Sequence, residues 1–188
     1  YWTGKMPESP EENKLELLTL IFIAINVIAF LVSMLYLDPV TVFETYSFSK
    51  SSLLDGNYLT IFSSSFLHLD LPHLFWNMFF LFLFGRVVEK KMGRGAFLLT
   101  YFTSMVLGNI FFAFLFPESV AVGASGAVFG LMGAAILTEP FRPILKFAPV
   151  PLALIGSIYL FGEVTNAFNL KENVAHIAHV GGMLGGFT

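Results

Sequence analysis

Cysteine is absent from the 188 residues, and charge is scarce, with Asp, Glu, Lys and Arg making up 12% of the chain. That is about half the share of an ordinary soluble domain. Without cysteine there is no disulfide framework, no thiol nucleophile and no thiolate metal site. A net charge of −3 excludes the basic surface that a nucleic-acid partner requires. What fills the chain instead is apolar: 56% hydrophobic residues, 23 of them phenylalanines, and a mean hydropathy of +0.76. Such a composition belongs in a bilayer.

At about 20 apolar residues per crossing, the sequence divides into six predicted spans. They run near Leu15 to Leu37, His73 to Val88, Ala96 to Phe116, Ser125 to Leu137, Val150 to Phe168, and Val174 to the final Thr188. The first fourteen residues, rich in Pro and Glu, read as a solvated tail, and residues 15–188 as one membrane domain. The first span is too long for a signal peptide and lacks a small-residue cleavage site. From Val174 to Thr188 is only ~22 Å of helix, short of a ~30 Å core, so a longer native chain is expected. Tyr1 is likewise an unnatural start. Between the first two spans, Asp38 to Pro72 carries Phe43, Tyr46, Phe48 and Leu53. A loop of that length with its own apolar residues is expected to form short helices lying partly in the outer leaflet.

The basic residues orient the spans. Lys5, Lys14, Arg86, Lys90, Lys91, Arg94, Arg142 and Lys146 fall on one side, and only Lys50 and Lys171 on the other. By the positive-inside rule the N-terminus is cytoplasmic, and the starts of spans two, four and six face outward in a multi-pass protein of the cell membrane. Span four is short, so Ser125 at its start lies ~10 Å below the outer surface. His179, seven residues beyond the polar stretch Asn169 to Glu172, reaches the same depth. Gly126 and Gly130 on span four, and Gly182 and Gly186 on span six, are each four apart. Such stripes let helix backbones approach closely in lipid.

A serine and a histidine are the partners that nucleophilic hydrolysis needs, and intramembrane ionisable groups tend to mark function. A third cluster adds donors. His73 and Asn77, four apart, share a face at the outer end of span two. With the Ser125 N–H, free because it opens a helix, they could stabilise the oxyanion of a tetrahedral intermediate.

From Asp55 to Gly186 these motifs resemble the rhomboid intramembrane serine proteases. The matching text is Phe66-Leu67-His68, His73-x-x-x-Asn77, Gly85 to Glu89 with Gly93, Gly123-Ala124-Ser125-Gly126, and Ala178-His179-x-x-Gly182-x-x-x-Gly186. The resemblance implies an all-α, six-helix membrane bundle in which Ser125 is the nucleophile and His179 the general base, in a dyad with no aspartate. It implies His73 and Asn77 as oxyanion donors and Phe129, one turn after Ser125, as an aromatic packed on the histidine. Gly123, Gly126, Gly130, Gly182 and Gly186 then pack the helices at the site. His176 fits less well, because the two glycines fall three and seven residues after His179. The Trp-Arg pair common in the family's first loop is missing near Leu59 and Thr60. Glu89 is assigned to structure.

The implied activity is cleavage of membrane-anchored proteins near the outer end of their transmembrane segments, with span five and the first loop as the gate. Partners are therefore transmembrane protein substrates and membrane lipids, with no nucleic acid and no cofactor. Water is expected to reach Ser125 past Ser63, Ser64, Ser65 and His68. Two other readings stand beside this one. A catalytically inactive relative would bind membrane clients with the same fold, but would be expected to have lost the serine or histidine. A metal protein could use His176 and His179, but no His-Glu-x-x-His occurs, and Glu163 is the only carboxylate available within a span; no metal is expected.

Overall fold

A computed structural model of the chain describes residues 16–145, 148–167, 182, 183, 185 and 186. Helix α1, Leu17–Leu35, forms from an apolar stretch without Pro or Gly and buries Thr19, Phe22, Asn26, Phe30 and Ser33. These recur every three or four residues and so line one face. Its other face exposes Leu20, Ile21, Ile25, Ile28 and Leu31. Polar groups turned inward and aliphatic ones outward invert the soluble pattern and suit a lipid surround. Two of the inward groups bond within their own helix, Asn26 Nδ2 to the Phe22 carbonyl and Ser33 Oγ to that of Phe30, both at 2.8 Å.

The loop that follows is built of short pieces, each started by local chemistry. Helix α2, Pro39–Tyr46, has proline in its first turn and Asp38 as its cap. Strand β1, Phe48–Ser49, leads into α3, Lys50–Leu54, which Ser49 and Ser52 close with a reciprocal capping box. Helix α4, Thr60–Ser63, tightens into a 3₁₀ turn, Ser64–Phe66. Helix α5, Leu71–Phe80, continues through a π-helical turn, Leu81–Gly85, into α6, Arg86–Met92. Gly93, at φ +90°, breaks the run before α7, Arg94–Leu115; only glycine adopts that backbone cheaply.

Strand β2, Val120–Ala121, pairs antiparallel with β1, Phe48 opposite Ala121 and Ser49 opposite Val120. Helix α8, Ser125–Thr138, follows. Strands β3, Pro143–Leu145, and β4, Ala148–Pro151, form a bulged hairpin before α9, Leu152–Ala167. The fold is predominantly helical, and the two small ladders depart from the all-α expectation. Strands of two to four residues leave no alternating pattern in a sequence.

Among the described residues, three helical runs, Leu17–Leu35, Leu71–Met92 and Arg94–Leu115, are long and apolar enough to cross a membrane. Two of them extend beyond the predicted spans, because α5 begins at Leu71 on its Asp70 cap and α7 at Arg94 directly after Gly93. Ser125–Thr138 is shorter at 14 residues, and the predicted sixth span falls largely outside the described residues.

Helix α8 occupies the centre, with every residue from Ala127 to Ala135 buried. Its small residues admit α7, α6, α9 and the π-turn around it. Glu89, 5% exposed, organises the far end. Its carboxylate accepts the backbone N–H groups of Leu18 and Thr19 and the Thr19 hydroxyl, each at 2.9 Å. An α6 side chain thereby caps α1, whose first-turn N–H groups have no partner within their own helix. Arg94 Nε lies 3.6 Å from Glu89 Oε1, and Lys91 pairs with Glu139 at 2.8 Å, joining the ends of α6 and α8.

Candidate active site

Ser125 opens α8, so its N–H belongs to the first turn, whose donors lack intrahelical acceptors. The turn before it is unusual. Gly123 sits at φ +115°, and a Cβ built there would lie 2.7 Å from His73 Nε2 and 2.8 Å from Cε1. No larger residue fits, so the glycine permits the turn to rest directly on the His73 ring. Gly123 thus serves close approach in a turn rather than helix packing, since α8 starts two residues later.

Asp70 Oδ1 accepts the His73 N–H at 2.7 Å and starts α5, presenting His73 and Asn77 one turn apart. His73 Nδ1 accepts the Leu69 N–H at 3.5 Å. That contact favours the neutral tautomer with its proton on Nε2, the atom aimed at Gly123. Asn77 Nδ2 donates to the His73 carbonyl at 3.0 Å; an amide carries a second N–H, and Nδ2 lies 3.9 Å from the absent Gly123 Cβ.

Two cavities of about 420 and 380 Å³ share His73 and Ser125 in their walls. The first is aromatic, bounded by Trp76, Phe80, Phe129 and Tyr159 and holding Asn77. Phe129 and Tyr159 stack with ring centroids 5.1 Å apart and planes inclined by 15°, and Tyr159 also meets Phe80 at 4.5 Å. The second cavity is lined by Ser65, Leu69, Met105, Phe112, the 120–123 turn and Gly126, among others. Of the four residues expected along a water route, Ser65 lines this cavity. Ser63 Oγ instead donates to the Tyr46 carbonyl at 2.9 Å, and the Ser64 carbonyl accepts the Gly123 N–H at 2.9 Å. His68 is 1% exposed. Burial, aided by the nearby His73, pushes its imidazole down from 6.5 to about 3, so it stays neutral. The two rings meet edge to face at 5.1 Å.

Gly182 packs on the Gly126 backbone and Gly186 on that of Gly130, so close that a Cβ at either would overlap the carbonyl group opposite. Gly126 also faces α7, where Gly108 Cα would lie 3.7 Å from its Cβ. Gly182 and Gly186 therefore lie directly against α8. His176 and His179 fall outside the described residues. Sequence reasoning missed Trp76 and Tyr159, which carried no signal among so many aromatic residues. Among the described residues no group of three or more His, Asp or Glu could hold a metal ion.

Comparison with known proteins bears on this geometry. The family model for the rhomboid domain matches residues 55–188. YdcA of Bacillus subtilis, provisionally named a rhomboid protease, is 33% identical over 134 residues, covering 71% of this chain and 66% of YdcA. Rhomboid-like protein 11, a chloroplast protein of Arabidopsis thaliana, is 35% identical over 66% of this chain and 48% of its own length. Rhomboid protease GluP of Bacillus subtilis is 31% identical over 73% of this chain, which is 26% of GluP. The chain thus spans from about a quarter to two thirds of these relatives. With most of its length matched by the family model, and with apolar helices long enough to span a bilayer, the chain belongs to the rhomboid family of membrane proteins.

Proposed function

We propose that this protein is an intramembrane serine endopeptidase that cuts membrane-anchored proteins near the outer end of their transmembrane segments. The observation that carries the reading is the seat of Gly182 on Gly126. Gly182 follows His179 by three residues, and Gly126 follows Ser125 by one, so the contact joins a glycine close in sequence to each of the two residues the chemistry needs. Ser125 Oγ attacks the scissile carbonyl while His179 takes its proton. The oxyanion is held by His73 Nε2–H, the second Asn77 N–H and the Ser125 backbone N–H. His179 then protonates the leaving amine as the C–N bond breaks, and water hydrolyses the acyl-enzyme by the same route in reverse.

The reading includes six crossings, with the N-terminus cytoplasmic and the site opening outward. Its support is the charge distribution and the length of α8: 14 residues rise ~21 Å in a core of ~30 Å. A nucleophile at the start of such a helix sits below the surface, and the cavities beside it supply space for water and peptide. Helix α9 and the first loop form the gate, α9 contributing Tyr159 to the aromatic cavity wall.

The test is covalent labelling. A fluorophosphonate should modify the wild-type protein at Ser125, as mapped by peptide mass spectrometry, and leave Ser125→Ala unlabelled. Equal labelling of that variant overturns the proposal.

A further inference from the structure

The turn that carries Ser125 is held by a partner from far along the chain, and that partner is itself held. The Gly123 N–H donates to the carbonyl of Ser64, in the 3₁₀ turn that ends the first loop. Helix α4 is four residues long, so its carbonyl groups lie at a helix end and need donor partners from elsewhere. Asn109 on α7 supplies one. Its Nδ2 donates to the Ile61 carbonyl at 2.8 Å and lies 3.4 Å from Ser64 Oγ. Asn109 also lines the second cavity together with Ser125. Its chain neighbour Gly108 faces Gly126 on α8. One turn of α7 therefore fixes both sides of the nucleophile: Gly108 the helix that follows Ser125, and Asn109 the loop that pins the turn before it.

We infer that Asn109 is a positioning residue: through Ile61 and Ser64 it sets the Gly123 turn, and with it the distance between Ser125 and the His73–Asn77 donors. The inference rests on the serine-protease reading above. The geometry specifies the kind of defect its loss produces. A backbone displaced by about 1 Å at a reacting centre can cost 10²-fold in rate without weakening binding. Removing the Asn109 donor leaves the Ile61 carbonyl unpaired and frees the Ser64 turn to shift, so the effect falls on the chemical step.

The experiment uses the whole chain in detergent and in liposomes. Fluorophosphonate inactivation is measured over a range of probe concentrations to separate the limiting rate from the half-saturation concentration, with the thermal midpoint recorded alongside. Asn109→Leu, similar in size but without a donor, is expected to lower the limiting rate about 10- to 100-fold and leave half-saturation within about threefold. Asn109→Gln, which keeps the amide N–H, recovers at least part of that loss. Should the leucine variant not fold, Asn109→Ser is measured instead, its hydroxyl being too short to reach the Ile61 carbonyl. A limiting rate within about twofold of wild type in the donor-less variant, or an equal loss in Asn109→Gln, overturns the inference. Wild type labelled and Ser125→Ala silent shows that the protease reading survives such a failure. Labelling of Ser125→Ala shows instead that the reading itself has failed.

Discussion

The two ends of the helical bundle use polar groups in opposite ways. Around Glu89 they are spent on one another: a carboxylate 5% exposed takes three hydrogen bonds from the start of α1 and an Arg94 contact. Phe22, Phe97 and Tyr101 pack against one another in the core between α1 and α7. Around Ser125, His73, Asn77 and the serine border two cavities, beside a turn that only glycine can make. Satisfied polar groups in a water-poor interior rigidify a structure, whereas polar groups that line a cavity can meet a ligand. On the proposed reading, one end carries stability and the other chemistry. It predicts that substitutions at the two ends fail in separable ways.

The sharpest form of that separation is chemical. His179→Ala should abolish cleavage, with a loss of about 10⁴-fold or more, while His176→Ala keeps most of the activity; both are read from the initial rate on a membrane-anchored substrate. Next come the proposed oxyanion donors. His73→Ala and Asn77→Ala should each lower kcat about 10²- to 10³-fold, about 2.7–4 kcal/mol of transition-state stabilisation, with thermal midpoints close to wild type.

The Glu89 end should show the reverse. Glu89→Ala strands two backbone N–H groups and a hydroxyl, at a cost of about 3 kcal/mol or more in stability. The fraction that remains folded should keep a near-normal kcat, and Glu89→Gln, which retains an acceptor oxygen, should lose less. Denaturation midpoints measured beside kcat would break the comparison if Glu89→Ala selectively lost kcat.

The smallest effect is on pH dependence. His68 is neutral when folded down to about pH 3 but has an ordinary value of 6.5 when unfolded. The unfolded chain therefore binds the extra proton between those values, and stability falls as pH is lowered through 6.5 toward 3. His68→Leu should flatten the stability profile across that window, and an unchanged slope would remove His68 as its source.

The long helices were legible because apolar runs and a break at Gly93 mark them without tertiary knowledge. The site was legible in part, since Ser125, His73 and Asn77 stand out as polar residues in apolar surroundings. The Gly126–Gly182 approach could be anticipated from spacing alone. What could not be read was long-range. The pairing of Glu89 with Leu18 and Thr19, about seventy residues away, leaves no local mark. Neither does the bond from Gly123 to Ser64 or the ladder between β1 and β2. Tyr159 is one aromatic residue among many, and only the fold reveals that it walls the cavity. The π-turn at Leu81–Gly85 adds a residue to the helical repeat where composition shows only an apolar run.

The proposed role of Ser125 is peptide-bond hydrolysis inside the membrane. Its most direct measurement is cleavage of a single-span test protein reconstituted with the purified chain in liposomes, followed by gel and by mass of the products. The wild-type chain is expected to make one cut near the outer end of the substrate's transmembrane segment, and Ser125→Ala no product; the same product from Ser125→Ala at a comparable rate would contradict that role.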